Sequence, residues 1–379
     1  AYFPDATTGE RVFDVLVGGT LEADDLDIVA KAGSKTPYIL EVVQEVTSTV
    51  EIELQAVIEN PKICGIEVIE LEGYVPPAPT AAPTAAPTTF APGPTGFPQG
   101  KWIEVDANAP IDIRHEACFV MVDNPVKGRK AYLVGGRDLK DMDIYDPVSR
   151  KWSKGAKPTV QMHHLQCVEA QGKLWVMAAW TGWYPMETNL DSVYVYDPAS
   201  DTWETRMALP EGRRRGAAAV IVSKDESKIY VSHGNNGGHE TANYAMSLGY
   251  LDAYDIATDS WTALSDDAPN PRDHAGGGLI NGRICVAGGR DGGNIYWPDI
   301  APTDCYDLAT GTWSAEAPIP QVRAGGSYGT TCDGKLMVAG GEGSGKAWDN
   351  VDVFDGSSWE TIDNLVVGRH GSGLAVDCV

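Results

Sequence analysis

Several features are missing from this 379-residue sequence, and each absence narrows what the protein can be. No apolar run approaches the roughly 20 residues that a membrane-spanning helix needs, so we expect no membrane insertion within this chain. Positive charge is scarce, because 29 Lys and Arg stand against 53 Asp and Glu, which gives a formal net charge of −24. Such an acidic chain is a poor partner for nucleic acid or for an anionic membrane surface.

The seven cysteines form no C-x-x-C pair and no Cys/His cluster at zinc spacing. The sequence therefore predicts no metal site and no cofactor. Disulfide bonds are an open alternative for two pairs, Cys285 with Cys305 and Cys332 with Cys378, which fall on neighbouring strands once the repeats described below are aligned. Buried free thiols explain either pair equally well, whereas disulfides would indicate an oxidising compartment.

A unit repeated five times occupies the chain from about Ala131 to Trp359. In each copy an apolar strand ends in two small residues, an aromatic–Asp pair follows, and a Trp closes the unit. The aromatic–Asp pairs are Tyr145–Asp146, Tyr196–Asp197, Tyr254–Asp255, Tyr306–Asp307 and Phe354–Asp355. The closing tryptophans are Trp152, Trp203, Trp261, Trp313 and Trp359. The aspartates are 51, 58, 52 and 48 residues apart, and a period near 50 is typical of propeller blades built from four short strands.

The small-residue pairs complete a resemblance to the kelch family over residues 101–379. These pairs are Gly135–Gly136, Ala178–Ala179, His233–Gly234, Gly288–Gly289 and Gly340–Gly341. The resemblance implies an all-β fold, a six-bladed kelch β-propeller whose last blade is incomplete in this chain. We expect Trp102 in the outer strand of that blade and residues 369–378 in its innermost strand. The chain is accordingly expected to be an internal fragment of a longer protein.

Residues 1–74 contain several short apolar or alternating runs that predict β-strands. The stretches Arg11–Val15, Leu26–Val29 and Glu59–Val68 resemble the C-terminal half of a malectin-like domain, a β-sandwich family that often binds carbohydrate. The resemblance implies a partial β-sandwich. It does not transfer the sugar site, because the front half of such domains supplies much of the sugar-contacting aromatic set.

Residues 75–100 form a predicted Pro/Thr-rich linker between the sandwich and the propeller at 101–379. Positions 76–100 hold eight prolines and five threonines and no charged residue, the composition of an extended stalk that can carry O-linked glycans. Such stalks are typical outside the cell, so we expect an extracellular or cell-surface protein. A disordered spacer in a cytosolic protein is the alternative, and no N-x-S/T sequon occurs to support N-glycosylation.

The segments that lead into the innermost strands carry cationic or titratable side chains. In kelch blades these segments share one face of the disc, the channel-mouth face, with the loops that follow the second strands. The predicted ligand-binding residues there are Arg114, His115, His164, Arg215, Arg272, His274, Arg323, Arg369 and His370. We expect a cationic collar that attracts an anionic ligand. Arg and His at such positions also bond carbonyl groups of neighbouring blades, which is the structural alternative.

The adjoining loops supply rings that complete the predicted binding face. These residues are Trp183, Tyr184, His239, Trp297 and Trp348. Exposed rings beside polar groups stack on sugars or anchor peptides. The leading hypothesis is a secreted or cell-surface, non-catalytic protein that binds a glycan or an acidic protein ligand. A self-assembling component of an extracellular coat or filament is the alternative.

A sugar-modifying enzyme, of the mutarotase, epimerase or oxidase type, is a third hypothesis. Copper oxidases of the galactose oxidase type use a Tyr–His dipeptide, and no histidine in this chain follows a tyrosine. An acid–base enzyme would need a carboxylate near the channel. The candidates are Asp138, Glu187, Asp273 and Asp299. His233 and His239 are six residues apart but lack a third ligand in register, so we assign no catalytic or metal-binding residue and favour a protein that is not an enzyme.

Overall fold

The computed structural model describes residues 12–17, 20–26, 52–58, 102, 109–239, 246–292, 299–343 and 345–378. The contacts divide the chain into two compact units, Ala1–Phe90 and Ala91–Val379. In the first unit, β1 (Val12–Val17) lies between β2 (Thr20–Leu26) and β3 (Ile52–Ile58) in an antiparallel sheet, and Val15 is buried. The other strands predicted for residues 1–74, and the linker at 75–100, lie outside the described residues. The predicted domain boundaries stay predictions.

The second unit contains five antiparallel four-stranded sheets, the blades of a β-propeller. Blade 1 consists of β4 (Ala117–Asn124), β5 (Gly128–Gly135), β6 (Met142–Asp146) and β7 (Lys151–Gly155). Blade 2 consists of β8 (Val168–Ala170), β9 (Lys173–Val176), β12 (Val193–Asp197) and β13 (Thr202–Arg206). The hairpin of β10 (Trp180–Thr181) and β11 (Thr188–Asn189) extends from its second strand.

The remaining three blades repeat the same order of strands. Blade 3 consists of β14 (Ala219–Val222), β15 (Lys228–Ser232), β16 (Leu251–Asp255) and β17 (Ser260–Ser265). Blade 4 consists of β18 (Asp273–Ile280), β19 (Arg283–Arg290), β20 (Thr303–Asp307) and β21 (Thr312–Glu316). Blade 5 consists of β22 (Ser327–Thr330), β23 (Leu336–Gly343), β24 (Lys346–Phe354) and β25 (Trp359–Asn364). The helical structure in the described residues is one 3-10 turn at Glu211–Arg213, and no helix there has the length and apolarity to cross a bilayer.

The repeated Asp builds the turn from the third to the fourth strand of each blade. In blade 1, Asp146 Oδ1 accepts hydrogen bonds from the backbone N–H groups of Val148 and Ser149, at 2.9 and 3.0 Å. This side-chain turn is favoured by Asp because its short carboxylate reaches the backbone two and three residues ahead. The equivalent aspartates bond in the same way in the other four blades.

The repeated Trp joins each blade to the one before it. Trp203 of blade 2 donates from its indole nitrogen to the carbonyl of Ala156, which follows blade 1, at 2.8 Å. The closing tryptophans of blades 3 to 5 reach back in the same manner. Four apolar clusters fill the spaces between successive blades, from blades 1 and 2 to blades 4 and 5. The core of this unit therefore lies between sheets, which is why one blade cannot fold alone.

The described residues contain five complete blades, one fewer than the six predicted. Residues 369–378 lie where an innermost sixth strand would run, since Ser327 donates to the carbonyl of Ser372 at 2.6 Å and the backbone of Gly373 lies against Phe119. This segment forms no ladder in the described residues, because no second strand is there to pair with it. The indole nitrogen of Trp152 accordingly has no acceptor among the described residues. Beside it, Phe119 and Leu133 line a groove of about 380 Å³.

Three disulfides cross-link this unit. Cys285–Cys305 joins opposite residues of β19 and β20, with a Cα separation of 4.1 Å. Cys332–Cys378 ties residues 369–378 to blade 5. Both pairs were open alternatives in the sequence, and the disulfide alternative is confirmed for each. The third, Cys118–Cys167, joins the innermost strands of blades 1 and 2 and was not predicted.

Candidate functional site

Six residues with left-handed backbone form a closed ring around the central channel. They are Glu116, His164, Ala217, His274, Gly325 and Gly371, with φ between 51° and 60°. The backbone N–H of each of the last five donates to the carbonyl of the one before it, at 2.8–3.1 Å, and Ala117 donates to Gly371 at 3.2 Å. The segment 369–378 thereby fills the sixth position of the ring. Because three members are Gly or Ala, the side chains that line this level are Glu116, His164 and His274.

The predicted cationic collar needs correction, because four of its arginines are buried and paired with aspartates. Arg114 bonds Asp143, Arg215 bonds Asp252 at 2.7 Å, Arg272 bonds Asp304 at 2.7 Å, and Arg323 bonds Asp352 at 2.6 Å. Each of the four also donates to a backbone carbonyl of its own blade. Buried charges persist only when paired and hydrogen-bonded, so these guanidinium groups fasten the blades and do not face a ligand.

The sequence carries a signal for this pairing of arginine with aspartate. The paired aspartate stands two positions before the blade's aromatic–Asp pair, as Asp143 does before Tyr145. Blade 2 has Met162 at the arginine position and Tyr194 at the aspartate position. Arginine and aspartate are thus present together in four blades and absent together in one, which is the pattern that a buried ion pair requires.

The predicted residues His164, His239 and His274 come together at the channel mouth. One ring nitrogen of each lies within 4.8 Å of those of the other two, and the ring centroids are 5.0–5.4 Å apart. The buried indole of Trp180 packs against all three rings at 4.7–5.5 Å. His233, the partner considered for His239, is instead buried near Asp304, with its Nε2 3.6 Å from Oδ2 of that residue.

Each of these three imidazoles is held by a partner at Nδ1. His239 Nδ1 lies 2.9 Å from Glu187 Oε1, which also accepts from Arg137 at 3.1 Å. His274 Nδ1 bonds Asp273 Oδ1, and His164 Nδ1 lies 2.7 Å from Nδ1 of His163. Two of the carboxylates considered for acid–base chemistry, Glu187 and Asp273, thus orient histidines.

Burial sets the protonation of this cluster. Burial lowers the pKa of His164 and of His274 below the ordinary value, and it lowers the pKa of His163 to about 4. Burial alone would raise the pKa of Glu187, but its hydrogen bond and charge contact with His239 bring that pKa down to about 2. At neutral pH His163, His164 and His274 are therefore neutral, and the Glu187 carboxylate is ionised.

The other predicted residues lie outside this cluster. His115 and His370 are about half exposed, with Glu116 and Glu342 as their nearest carboxylates at 3.8 and 3.4 Å. Arg369 is exposed. The Lys346 ammonium lies 3.9 Å from the ring centroid of Trp348. Trp297 lies outside the described residues.

An aromatic platform, formed by Trp183 and Tyr184, stands at the tip of the β10–β11 hairpin. The two residues are 59% and 64% exposed. The Tyr184 ring lies 5.2 Å from the His239 ring, and the Arg137 guanidinium lies 5.8 Å from the Tyr184 centroid. The platform thus adjoins the three histidines on the channel-mouth face.

Comparisons with known proteins agree with this architecture. The Malectin family model, described as the Malectin domain, matches residues 1–66. A Kelch-like protein, terF of Aspergillus terreus, is 28% identical over 247 residues, which are 61% of this chain and 51% of that protein. Beta-scruin of Limulus polyphemus is 25% identical over 63% of this chain and 27% of its own length. The chain thus spans about half or less of the length of these relatives.

A solved structure, titled "Structure of YjhT", superposes with a TM-score of 0.57 at 17% identity. The match covers 70% of this chain and 88% of that chain, and at this identity it informs the fold alone. Together these comparisons confirm the predicted resemblance to kelch-repeat β-propeller proteins with a malectin-like domain.

Proposed function

We propose that this chain is a non-catalytic binding protein, secreted or displayed at the cell surface, that recognises carbohydrate through its channel-mouth face. The kelch-type relatives favour an interaction role. Three disulfides support an oxidising compartment. The malectin match and the Pro/Thr-rich linker favour the same placement.

The aromatic platform is the observation that carries the glycan proposal. A large exposed ring costs free energy in water unless a ligand covers it, and sugars present flat apolar C–H faces that stack on such rings. Here two adjacent rings, Trp183 and Tyr184, stand beside polar Arg137 and His239. Stacking surface next to hydrogen-bonding groups matches the two kinds of surface that a sugar ring carries.

An acidic protein ligand is the weaker alternative, because the collar that would have attracted it is neutralised. Four arginines at the channel mouth are already paired with buried aspartates. The electrostatic potential that remains at the channel-mouth face comes from a protein with a formal net charge of −24. Electrostatic steering of an anionic partner therefore has little support.

A glycan array probed with the full chain tests the proposal. We expect a defined set of neutral glycans to bind, with little change between low and physiological salt, and the W183A/Y184A variant to lose at least about tenfold in affinity. Val148→Ala is the matched control, because Val148 is 92% exposed in the β6–β7 turn at the opposite end of its blade. Salt-sensitive binding of acidic proteins that survives W183A/Y184A would overturn the proposal, as would the absence of any glycan ligand.

Self-assembly into a coat or filament is a second candidate, favoured by the open groove beside blade 1. The groove exposes Phe119, Leu133 and Trp152, and neighbouring Ile113 is 95% exposed. A second copy of this chain packed there would cover this apolar surface. Sedimentation velocity should then show concentration-dependent assembly that Ile113→Asp removes, whereas a concentration-independent monomer would exclude it.

A further inference from the structure

The protonation states of the three clustered histidines follow from their hydrogen bonds. His163 Nε2 lies 3.1 Å from the Gly182 carbonyl, which only accepts, so this nitrogen carries the proton of a neutral ring. His163 Nδ1 is then an acceptor, and the His164 Nδ1 that lies 2.7 Å away must donate to it. Nε2 of His164 is therefore left with a lone pair.

The other two rings reach the same state by a shorter route. His239 and His274 face the carboxylates of Glu187 and Asp273 with Nδ1, and an ionised carboxylate only accepts. Both rings therefore donate from Nδ1, which leaves Nε2 as the nitrogen that is free for a further ligand. His274 Nε2 is buried and has no hydrogen-bond partner among the described residues.

The three rings engage their partners through Nδ1, so the second nitrogen of each ring is left without a hydrogen-bond partner in the part of the chain that the structure describes. A neutral ring in this arrangement cannot donate to another ring, and a buried acceptor that is left without a donor destabilises the folded state. A carboxylate adds to the conflict, because Glu116 Oε2 lies 3.7 Å from His164 Nε2.

A cation relieves this conflict, and the surroundings are those of a metal site. Metal-ligating histidines characteristically donate their other ring nitrogen to a carboxylate or carbonyl partner, which fixes the ring and raises its basicity. His239 and His274 have that arrangement directly, and His164 has it through His163. A cavity of about 50 Å³ lined by Glu116, His164 and His274 adjoins the cluster, which is room for a few waters at about 10–15 Å³ each.

We propose that His164, His239 and His274 bind one divalent transition-metal ion of the zinc and copper class through their Nε2 atoms. Imidazole nitrogen suits these ions, and three histidines leave a fourth position open. The Glu116 carboxylate lines the adjoining cavity. In a tetrahedral zinc site the ligand nitrogens stand about 3.3 Å apart. The ring nitrogens now lie within 4.8 Å of one another, so we expect each nitrogen–nitrogen distance to shorten by up to about 1.5 Å on binding. The metal site shares His239 with the proposed glycan surface, but its test uses zinc alone and needs no glycan.

Zinc alone is the probe for the first test. The full chain, stripped with a chelator and dialysed, is titrated with ZnCl2 by calorimetry and its metal content measured by mass spectrometry. We expect one Zn²⁺ per chain, with affinity falling at least about 100-fold in H164N and in H274N. Asparagine is the chosen replacement because both positions have positive φ, at 53° and 54°, and Asn tolerates that conformation better than most residues.

Controls separate a metal site from adventitious histidine binding. His115→Asn and His370→Asn remove half-exposed histidines from the same face and should leave zinc affinity unchanged. Glu187→Gln and Asp273→Asn keep all three ligands and should weaken binding by about 10- to 100-fold. With Cu²⁺ as the second probe, paramagnetic resonance should report three nitrogen ligands in the parent chain and fewer in H239N. Absence of stoichiometric zinc, or equal losses in the control variants, would overturn the proposal.

Discussion

The disulfide Cys332–Cys378 is expected to hold the propeller ring closed, and its removal should have a large and calculable cost. It spans 46 residues and ties segment 369–378 to blade 5. In the loop-entropy treatment, a cross-link over that separation constrains the unfolded chain by about 4 kcal/mol. Both cysteines are exposed, so replacing them with serine leaves no cavity. C332S/C378S should therefore lower the free energy of unfolding by about 4 kcal/mol through loss of the link.

Urea unfolding of the full chain, followed by tryptophan fluorescence, measures this cost. All 11 tryptophans lie between residues 102 and 359, so the signal reports the propeller unit alone. Asp377→Asn is the matched control: it removes the half-exposed ion pair with Arg129 at 2.8 Å in the same segment, which should cost less than about 1 kcal/mol. If C332S/C378S costs no more than this control, the ring does not depend on the link and the reasoning is refuted.

Three further predictions concern the propeller. Arg272→Met leaves Asp304 charged and buried, so it should cost about 3–5 kcal/mol in urea unfolding. Gly216→Ala places a Cβ 2.1 Å from Cδ1 of buried Trp180, and it should destabilise by about 1–3 kcal/mol and shift the near-ultraviolet circular dichroism. Burial raises the pKa of Glu169 from 4.5 to about 7, so the folded state binds this proton more tightly; stability should fall as pH rises from 4.5 to 7, and Glu169→Gln should flatten that slope.

These predictions have control variants in the same unit. Lys335→Met breaks an exposed pair with Asp333 and should cost less than about 1 kcal/mol. Gly212→Ala adds a Cβ with nothing within 4 Å and should stay within about 0.5 kcal/mol of the parent. If Arg272→Met lowers the free energy of unfolding no more than Lys335→Met does, the argument from the buried ion pair is wrong. If Gly216→Ala lowers it no more than Gly212→Ala does, the argument from the close contact is wrong. An unchanged pH dependence of stability in Glu169→Gln would contradict the pKa argument.

The local repeat made most of the fold predictable, because each copy carries its own turn and its own contact to the preceding blade. The turn-forming role of Asp146 and the blade-to-blade contact of Trp203 follow from the sequence spacing alone. The predicted sixth blade does not form in the described residues, because a strand needs a hydrogen-bonded partner. Residues 369–378 have the sequence of an inner strand but no neighbour to pair with in the described chain.

The candidate site was only partly predictable. His164, His239 and His274 were each named as binding residues, but separations of 75 and 35 residues hide the fact that they meet. Their convergence depends on how far each loop reaches toward the axis, which no local pattern encodes. The structural alternative for the arginines is predictable from the sequence, because their partners, such as Asp252 and Asp304, stand at a fixed offset in the blades that carry them.

The left-handed ring has a consequence for how this protein can evolve. Glycine relaxes that backbone at positions 325 and 371, whereas Glu116, His164 and His274 hold it at an intrinsic cost of about 1–2 kcal/mol each. Selection for heat resistance alone would favour glycine at those three places. Carboxylate and imidazole groups stand there instead. The protein thus gives up some stability to keep chemically active side chains around its central channel.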